Sequence, residues 1–565
     1  MAYNPTNPVI VQSDKTILLE THAPRFEEAR DALSGFAELI KSPEHIHTYR
    51  ITPLSLWNAA ALGWDPDEVK DTLEDLSKYD MPQNVIADID DYMSRYGKLK
   101  LVPCEHDPSE LLLVSEDPVI LAYVSAHKLV IPHLSGTAIL DGQLRVKTSE
   151  RGFIKHALIQ VGYPVEDLAG YMDGDPLPLE MRETTLSGRE FGLRQYQIEA
   201  VNAFYAGGSA RGGSGVIVLP CGAGKTIVGI GAMAKVGAKT LVLTTNVTAL
   251  RQWRQEILDK TDLHPSQVTE YSGESKELGP VTVTTYQILT YRRKKTDDFT
   301  HFHLFNDNNW GLIIYDEVHL LPAPVFRAVA NLQSRRRIGL TATLVREDGK
   351  EEEVFSLIGP KKYDVPWRVL EKQGFVAEAT CTEIRVPFSD DDLRMEYALA
   401  DQRRKYRLSA CNPAKLRVVS KLIRQHDEDR VLIIGQYLDQ LHDIARLLDA
   451  PMITGETPQD ERDRLYGAFR DGSVKRLVVS RVANFAVDLP DANVAIQVSG
   501  TFGSRQEEAQ RLGRVLRPKS EGENSAKFYT VVTQDSTEQD FSAKRQLFLT
   551  EQGYRYEIET VDPRH

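Results

Sequence analysis

The sequence predicts an α/β protein: two tandem domains built on parallel sheets, preceded by accessory modules. Three observations carry this. After about residue 190, apolar β-branched runs recur with helical stretches between them, the pattern of a parallel sheet covered on both faces. The pattern lapses near residues 345–415 and then resumes, which makes a second α/β domain of similar size. A glycine-rich turn joins one of the apolar runs directly to a helix. The chain has 565 residues, enough for about three to five domains.

Taken in order, residues 1–105 read as a mostly helical accessory domain, with Leu73, Leu76, Ile86 and Ile89 set among acidic residues. Residues 106–187 read as a small α/β module. Its short runs Leu111–Val114 and Leu129–Ile131 alternate with turns at Asp117-Pro118 and Asp141-Gly142. Asp173-Gly174-Asp175-Pro176 marks a linker. The first parallel-sheet domain, residues 188–370, takes its strands from Val216–Leu219, Leu241–Leu243, Val281–Val283, Leu312–Tyr315 and Ile338–Leu340. Residues 371–417 are an intervening linker and insertion. The second domain, residues 418–540, uses Val431–Ile434, Leu477–Val479 and Val494–Ile496, and residues 541–565 form a C-terminal tail.

Composition narrows the function classes. The hydrophobic fraction is 41% and the charged fraction 26%, ordinary for a globular protein and unlike a disordered or collagenous chain. No window holds the roughly 18 apolar residues of a membrane span. Four cysteines, none in a CxxC pair, argue against a zinc ribbon or redox dithiol. With no visible secretory signal, they point to a reducing, cytoplasmic setting. Net charge is −13, but it is uneven. Residues 1–187 hold 16 basic and 30 acidic side chains, a balance of −14, and the remainder sums to +1. A nearly neutral remainder can still present a basic groove to a polyanion.

The chemistry begins at Leu219-Pro220-Cys221-Gly222-Ala223-Gly224-Lys225-Thr226. Glycines let backbone N–H groups curl around phosphates, and the helix that follows adds its positive end. Gly222, Ala223 and Gly224 would form the cradle, Lys225 would reach the β and γ phosphates, and Thr226 would hold Mg²⁺. The strict P-loop pattern has glycine where this chain has Leu219. About 90 residues on, an apolar strand delivers Asp316 and Glu317 to its C-terminal end, where ligands bind in open α/β sheets. Asp316 would meet Mg²⁺ through water, Glu317 would polarise the attacking water, and His319 would link the site to neighbouring loops. Together the two motifs read as ATP hydrolysis. Thr341-Ala342-Thr343 ends the next strand and fits a coupling element. In the second domain, Gln510–Arg517 reads as a helix that places Arg514 and Arg517 on one face, where cations stabilise charge developing on a γ-phosphate.

These motifs, in this order, resemble a superfamily 2 helicase, and within it the shorter prokaryotic members of the XPB family of DNA repair helicases. The resemblance is carried by Arg346-Glu347-Asp348 (the RED element), by Leu357–Lys361, Ile453–Thr457 and Asp488-Leu489-Pro490, and by Gly503–Arg514. It implies two RecA-like domains with ATP and Mg²⁺ between them. It also implies adenine sensing by Arg194 and Gln197, catalytic roles for Lys225, Glu317, Gln510, Arg514 and Arg517, and a nucleotide contact at Asp488. Motif V usually carries a glycine two residues before that aspartate, where this chain has Ala486. Residues 106–187 are similar in position to the family's damage-recognition domain. DNA contact and coupling would fall to Thr341, Thr343, Arg346, Glu347, Asp348, Arg251 and Thr285. Thr244, Asn246 and the Thr284–Gln287 turn are further candidates, each also explained by ordinary loop chemistry. A thumb-like insertion with Arg394, Arg403, Arg404, Lys405, Arg407, Lys415 and Arg417 would grip phosphates, making affinity fall steeply with salt.

The function so implied is an ATP-dependent DNA helicase or translocase with 3′→5′ polarity. It would open duplex DNA with a single-stranded, forked or damaged region in nucleotide excision repair, in the cytoplasm and at the nucleoid, with no membrane partner. An RNA-stimulated ATPase shares the motor motifs. A nucleotide-gated clamp that recruits a repair nuclease through the acidic N-terminal third is a further alternative.

Overall fold

The computed structural model describes residues 4–33, 35–41, 45–107, 109–139, 141–169, 173–209, 212–220, 222–289, 291, 300–301, 308–320, 336–342, 351–365, 370–371, 373, 378–480, 492–500, 525–551 and 555–561. The chain divides into two compact units, one made of most of residues 1–365 and the other chiefly of residues 366–565.

The first unit opens with a four-stranded sheet. β1 (Val9–Val11), β2 (Thr16–Glu20), β3 (Glu38–Lys41) and β4 (Ile46–Arg50) lie in the order β1-β2-β4-β3. The expectation of a mostly helical segment therefore holds for residues 53–95, and elsewhere only for the helix Phe26–Leu33 between β2 and β3. In residues 53–95, two of the three helices follow strong start signals. Thr52 and Asp65 each close a capping box, and each precedes a proline, at Pro53 and Pro66. The strands were hidden because they are three to five residues long, and all but β1 mix polar with apolar residues.

A second four-stranded sheet follows: β5 (Leu99–Pro103), β6 (Glu110–Ser115), β7 (Gln143–Lys147) and β8 (Val165–Asp167), in the order β7-β6-β5-β8. Period-2 alternation turns Leu99, Leu101, Leu111, Leu113, Leu144 and Val146 inward onto the helices Pro118–Ala126 and Arg151–Gln160. The α/β character read for this region is present, and the sheet begins at Leu99.

The first seven-stranded sheet takes β9 (Ser214–Val218), β10 (Thr240–Thr244), β11 (Val268–Tyr271), β12 (Val281–Thr285), β13 (Leu312–Asp316), β14 (Arg336–Thr341) and β15 (Lys361–Asp364). The order is β11-β12-β10-β13-β14-β9-β15, and every pairing is parallel. All five apolar runs singled out in the sequence of this domain are strands of the sheet. Trp57, Ile159 and Phe355 form one buried cluster, which packs the accessory helices Pro53–Leu62 and Arg151–Gln160 onto the helix Glu351–Leu357.

The second unit holds β16 (Glu378–Val386), β17 (Val431–Gly435), β18 (Met452–Ile453), β19 (Arg476–Ser480), β20 (Val494–Gln497), β21 (Ser525–Thr533) and β22 (Arg555–Thr560). They form another all-parallel sheet, ordered β18-β19-β17-β20-β21-β16-β22. Two expectations change here. Residues 371–417 are not only linker and insertion, because β16 is an inner strand of the sheet. Residues 541–565 are not only a tail, because β22 pairs along β16 from Thr380–Arg555 to Arg385–Thr560. Both strands escaped notice because they mix charged and apolar residues. The insertion narrows to the helices Asp391–Leu399 and Gln402–Ala410. The second of these buries Tyr406, whose ring meets Phe541 edge-on.

Candidate nucleotide site

Strand β9 is wholly buried and leads into the glycine turn; the helix Lys225–Val236 starts at its far end. Gly222 and Gly224 have φ of +81° and +76°, a region that L side chains enter only with strain. A Cβ on Gly224 would also lie 2.6 Å from Gln197 Nε2. Thus Gln197, expected as a base reader, is buried against the last glycine of the loop. Its Oε1 accepts from Arg194 N at 2.9 Å, and the Arg194 guanidinium donates to Tyr196 Oη at 3.3 Å.

Strand β13 lies between β10 and β14 and brings its carboxylates to the same sheet edge. Lys225 Nζ is 3.6 Å from Glu317 Oε1. Glu317 has φ +50°, which a non-glycine residue holds at a cost of about 1–3 kcal/mol, typically where function requires it. His319 Nδ1 is 3.6 Å from Glu317 Oε2 and 2.7 Å from Thr341 Oγ1. His319 therefore joins the acidic strand end to the end of β14, as expected of a linking residue. Leu219 N donates to Thr341 O at 3.0 Å, so β14 is also tied to the start of the loop. Burial, then the neighbouring Glu317 charge, push the Asp316 carboxyl up to about 7.

These residues fit a magnesium nucleotide. The glycines open a cradle, and the Lys225 ammonium stands 3.6 Å from the Glu317 carboxylate beside it. Asp316 is a carboxylate whose charge a cation would stabilise. Thr226 follows Lys225 at the helix start.

Other candidates divide. Thr285 is buried, and its hydroxyl accepts from Ile288 N at 3.4 Å, so it closes a turn and its side chain is not presented to a polymer. Thr244 and Thr284 are likewise buried, with hydroxyls on backbone carbonyls. Asn246 caps the helix Val247–Lys260. Arg251 is exposed but paired with Glu274 at 2.7 Å. Arg403 and Arg404 are exposed, Arg404 beside Glu396. Lys415 departs from the expected phosphate grip: it is buried, with Nζ 2.7 Å from Glu538 and 2.8 Å from the Val498 carbonyl. Thr343, Arg346, Glu347, Asp348, Asp488, Gln510, Arg514 and Arg517 lie outside the described residues.

Two residues contact the acidic strand end without having been expected there from sequence. Trp253 Nε1 donates to Asp316 Oδ2 at 3.0 Å, and Tyr286 Oη donates to the Asp316 carbonyl at 2.9 Å. Trp253 shares the buried helix face Leu250-Trp253-Ile257, so its sequence signal was that of a core residue. Tyr286 lay in a turn noted only for phosphate contact.

A glycine loop beside an acidic strand end on a parallel sheet, with a second parallel sheet in the same chain, is the frame of a nucleoside-triphosphate-driven helicase. The comparisons narrow this. Residues 370–563 match the family described as ERCC3/RAD25/XPB C-terminal helicase. Residues 9–136 match a helicase conserved C-terminal domain, and residues 190–346 the res subunit of type III restriction enzymes. The DNA 3′-5′ helicase XPB of Kineococcus radiotolerans is 54% identical over 98% of this chain and 97% of its own length. That of Mycobacterium tuberculosis is 52% identical over 98% of each. The XPB/SSL2 helicase/translocase subunit of general transcription and DNA repair factor IIH of Saccharomyces cerevisiae is 32% identical over 98% of this chain and 72% of its own. The chain belongs to the XPB family of helicases.

Proposed function

We propose that the protein is an ATP-dependent DNA helicase or translocase that opens duplex DNA in repair, with 3′→5′ polarity. The observation that carries the hydrolytic half is the convergence of Lys225 and Glu317 at 3.6 Å beside Asp316. Family membership supports the choice of DNA. Magnesium ATP supplies the phosphoryl bond and the charge that Lys225 meets. Gly222 to Gly224 would cradle its phosphates, Thr226 and Asp316 would hold the cation, and Glu317 would orient the attacking water. Arg514 and Arg517 would stabilise charge developing on the γ-phosphate, and Arg346 to Asp348 would act where strands part. Hydrolysis removes the charge that favours one conformation, and the loops on DNA shift with it.

The test measures ATP hydrolysis and fluorescent duplex opening side by side on 3′-tailed, 5′-tailed and blunt DNA, with RNA as the competing stimulant. Wild-type protein should hydrolyse faster with DNA than with RNA and open the 3′-tailed duplex. Lys225→Ala should lose both activities; normal unwinding by that variant would falsify the motor reading.

A further inference from the structure

We propose that Trp253 and Tyr286 are positioning residues for Asp316, through which the elements that follow β10 and β12 set the rate of nucleotide hydrolysis. This rests on the motor reading above and adds how a polymer reaches the chemistry.

The helix Val247–Lys260 begins directly after β10, at the Asn246 cap, and carries Arg251 outward. Two residues later on the same helix, the Trp253 indole N–H is 3.0 Å from Asp316 Oδ2. The helix Tyr286–Leu289 begins directly after β12, at the other candidate loop, and sends the Tyr286 hydroxyl to the Asp316 carbonyl at 2.9 Å. Both rings are buried. Asp316 is thereby held at its side chain and its backbone by two separate strand-end elements.

The Trp253 ring reaches further. A Cβ placed on Gly229 would lie 2.5 Å from its Cη2. Gly229 belongs to the helix that starts at Lys225. One side chain of a loop-borne helix thus touches both the carboxylate expected to hold the cation and the helix that presents the phosphate lysine. A shift of the helix Val247–Lys260 on a polynucleotide moves the indole, and packed interiors pass such shifts on because they yield little. A core tryptophan that merely satisfies its N–H would make the bond but would not couple the two sites.

Trp253→Phe keeps most of the ring and removes the donor, and Tyr286→Phe removes one hydroxyl. In each full-length variant, ATP hydrolysis is measured with and without DNA. Binding of a fluorescent ADP is titrated with Mg²⁺. For Trp253→Phe, the ratio of DNA-stimulated to basal kcat should fall about tenfold, the order expected from losing one hydrogen bond to a charged group. KM for ATP should change far less, and half-saturating Mg²⁺ should rise several-fold. Tyr286→Phe should move the same quantities in the same direction by less. An unchanged stimulation ratio and Mg²⁺ requirement in both variants would overturn the proposal. If Trp253→Phe does not fold, Tyr286→Phe alone decides. Absence of DNA stimulation in the wild-type protein would instead sink the motor reading, so the two failures are distinguishable.

Discussion

At the scale of single residues, Glu317 shows what a strand end can build. Its left-handed backbone turns the carboxylate toward Lys225, and His319 braces the other oxygen. Glu317→Gln keeps the shape and loses the carboxylate proposed to orient the attacking water. Hydrolysis should fall by about 10²–10⁴-fold, while nucleotide binding stays within a few-fold, read by phosphate release and a fluorescent nucleotide. Far from that site, His47 is buried edge-on to Phe26. Burial, helped by the nearby Arg30 charge, pulls its imidazole down to about 4. The unfolded chain binds the proton first, at about 6.5. Folding therefore loses stability as pH falls from about 6.5 toward 4, by roughly 3 kcal/mol in all. His47→Phe should flatten that part of the pH–stability curve, and an unchanged slope in urea melts across the window would refute the assignment. Gly222, Gly224, Lys225, Asp316 and Glu317 were legible because their chemistry is local to one turn or one strand end. Trp253 and Tyr286 were not, because their function lies in a contact across 30 or more residues.

At the scale of elements, legibility follows burial. Strands β9, β10, β12, β13, β14, β17, β19 and β20 are buried along nearly their whole length, and each holds a short apolar or β-branched run that marks a covered sheet. Strand β16 carries Glu383 and Arg385 in its middle, so it resembles loop until its partners are known. Glu383 is buried and accepts from the Tyr556 hydroxyl of β22 at 2.6 Å, while Arg385 Nε bonds its other oxygen. The basic segment after it posed the opposite trap. Lys415 shares a sequence neighbourhood with exposed arginines, yet its helix turns it inward to Glu538, which also accepts from Thr533 N at 3.0 Å. Removing one member of a buried pair strands the other charge, at a cost of about 3–5 kcal/mol. Lys415→Ala should show that loss in urea unfolding of the second unit. Lys415→Met with Glu538→Leu should recover most of it, and a single variant no less stable than the double one would contradict the burial argument.

For the first unit as a whole, the accessory modules and the first seven-stranded sheet are joined through buried charge as well as through Trp57, Ile159 and Phe355. Asp167, at the end of β8, accepts from Arg151 at 2.7 Å and 3.0 Å and from Lys155 at 3.1 Å. Burial opposes its ionisation, but the Arg151 and Lys155 charges outweigh this and hold the carboxyl well below the usual carboxylate range. The Arg337 charge also acts on Lys155; Arg337 is itself buried on β14, four residues before Thr341. A depressed carboxylate contributes stability above its unfolded value of about 3.9 and loses it as pH falls below that. Asp167→Asn should remove this contribution at neutral pH and leave two buried cations without their carboxylate, costing about 3–5 kcal/mol. Because the Arg337 charge on β14 acts on Lys155, the damage should not stay in the small module. Hydrogen exchange should show β8 and β14 losing protection together in the variant. Loss confined to residues 99–167 would mean that the module is an independent passenger; joint loss would mean that the acidic N-terminal third is a structural part of the motor's first sheet.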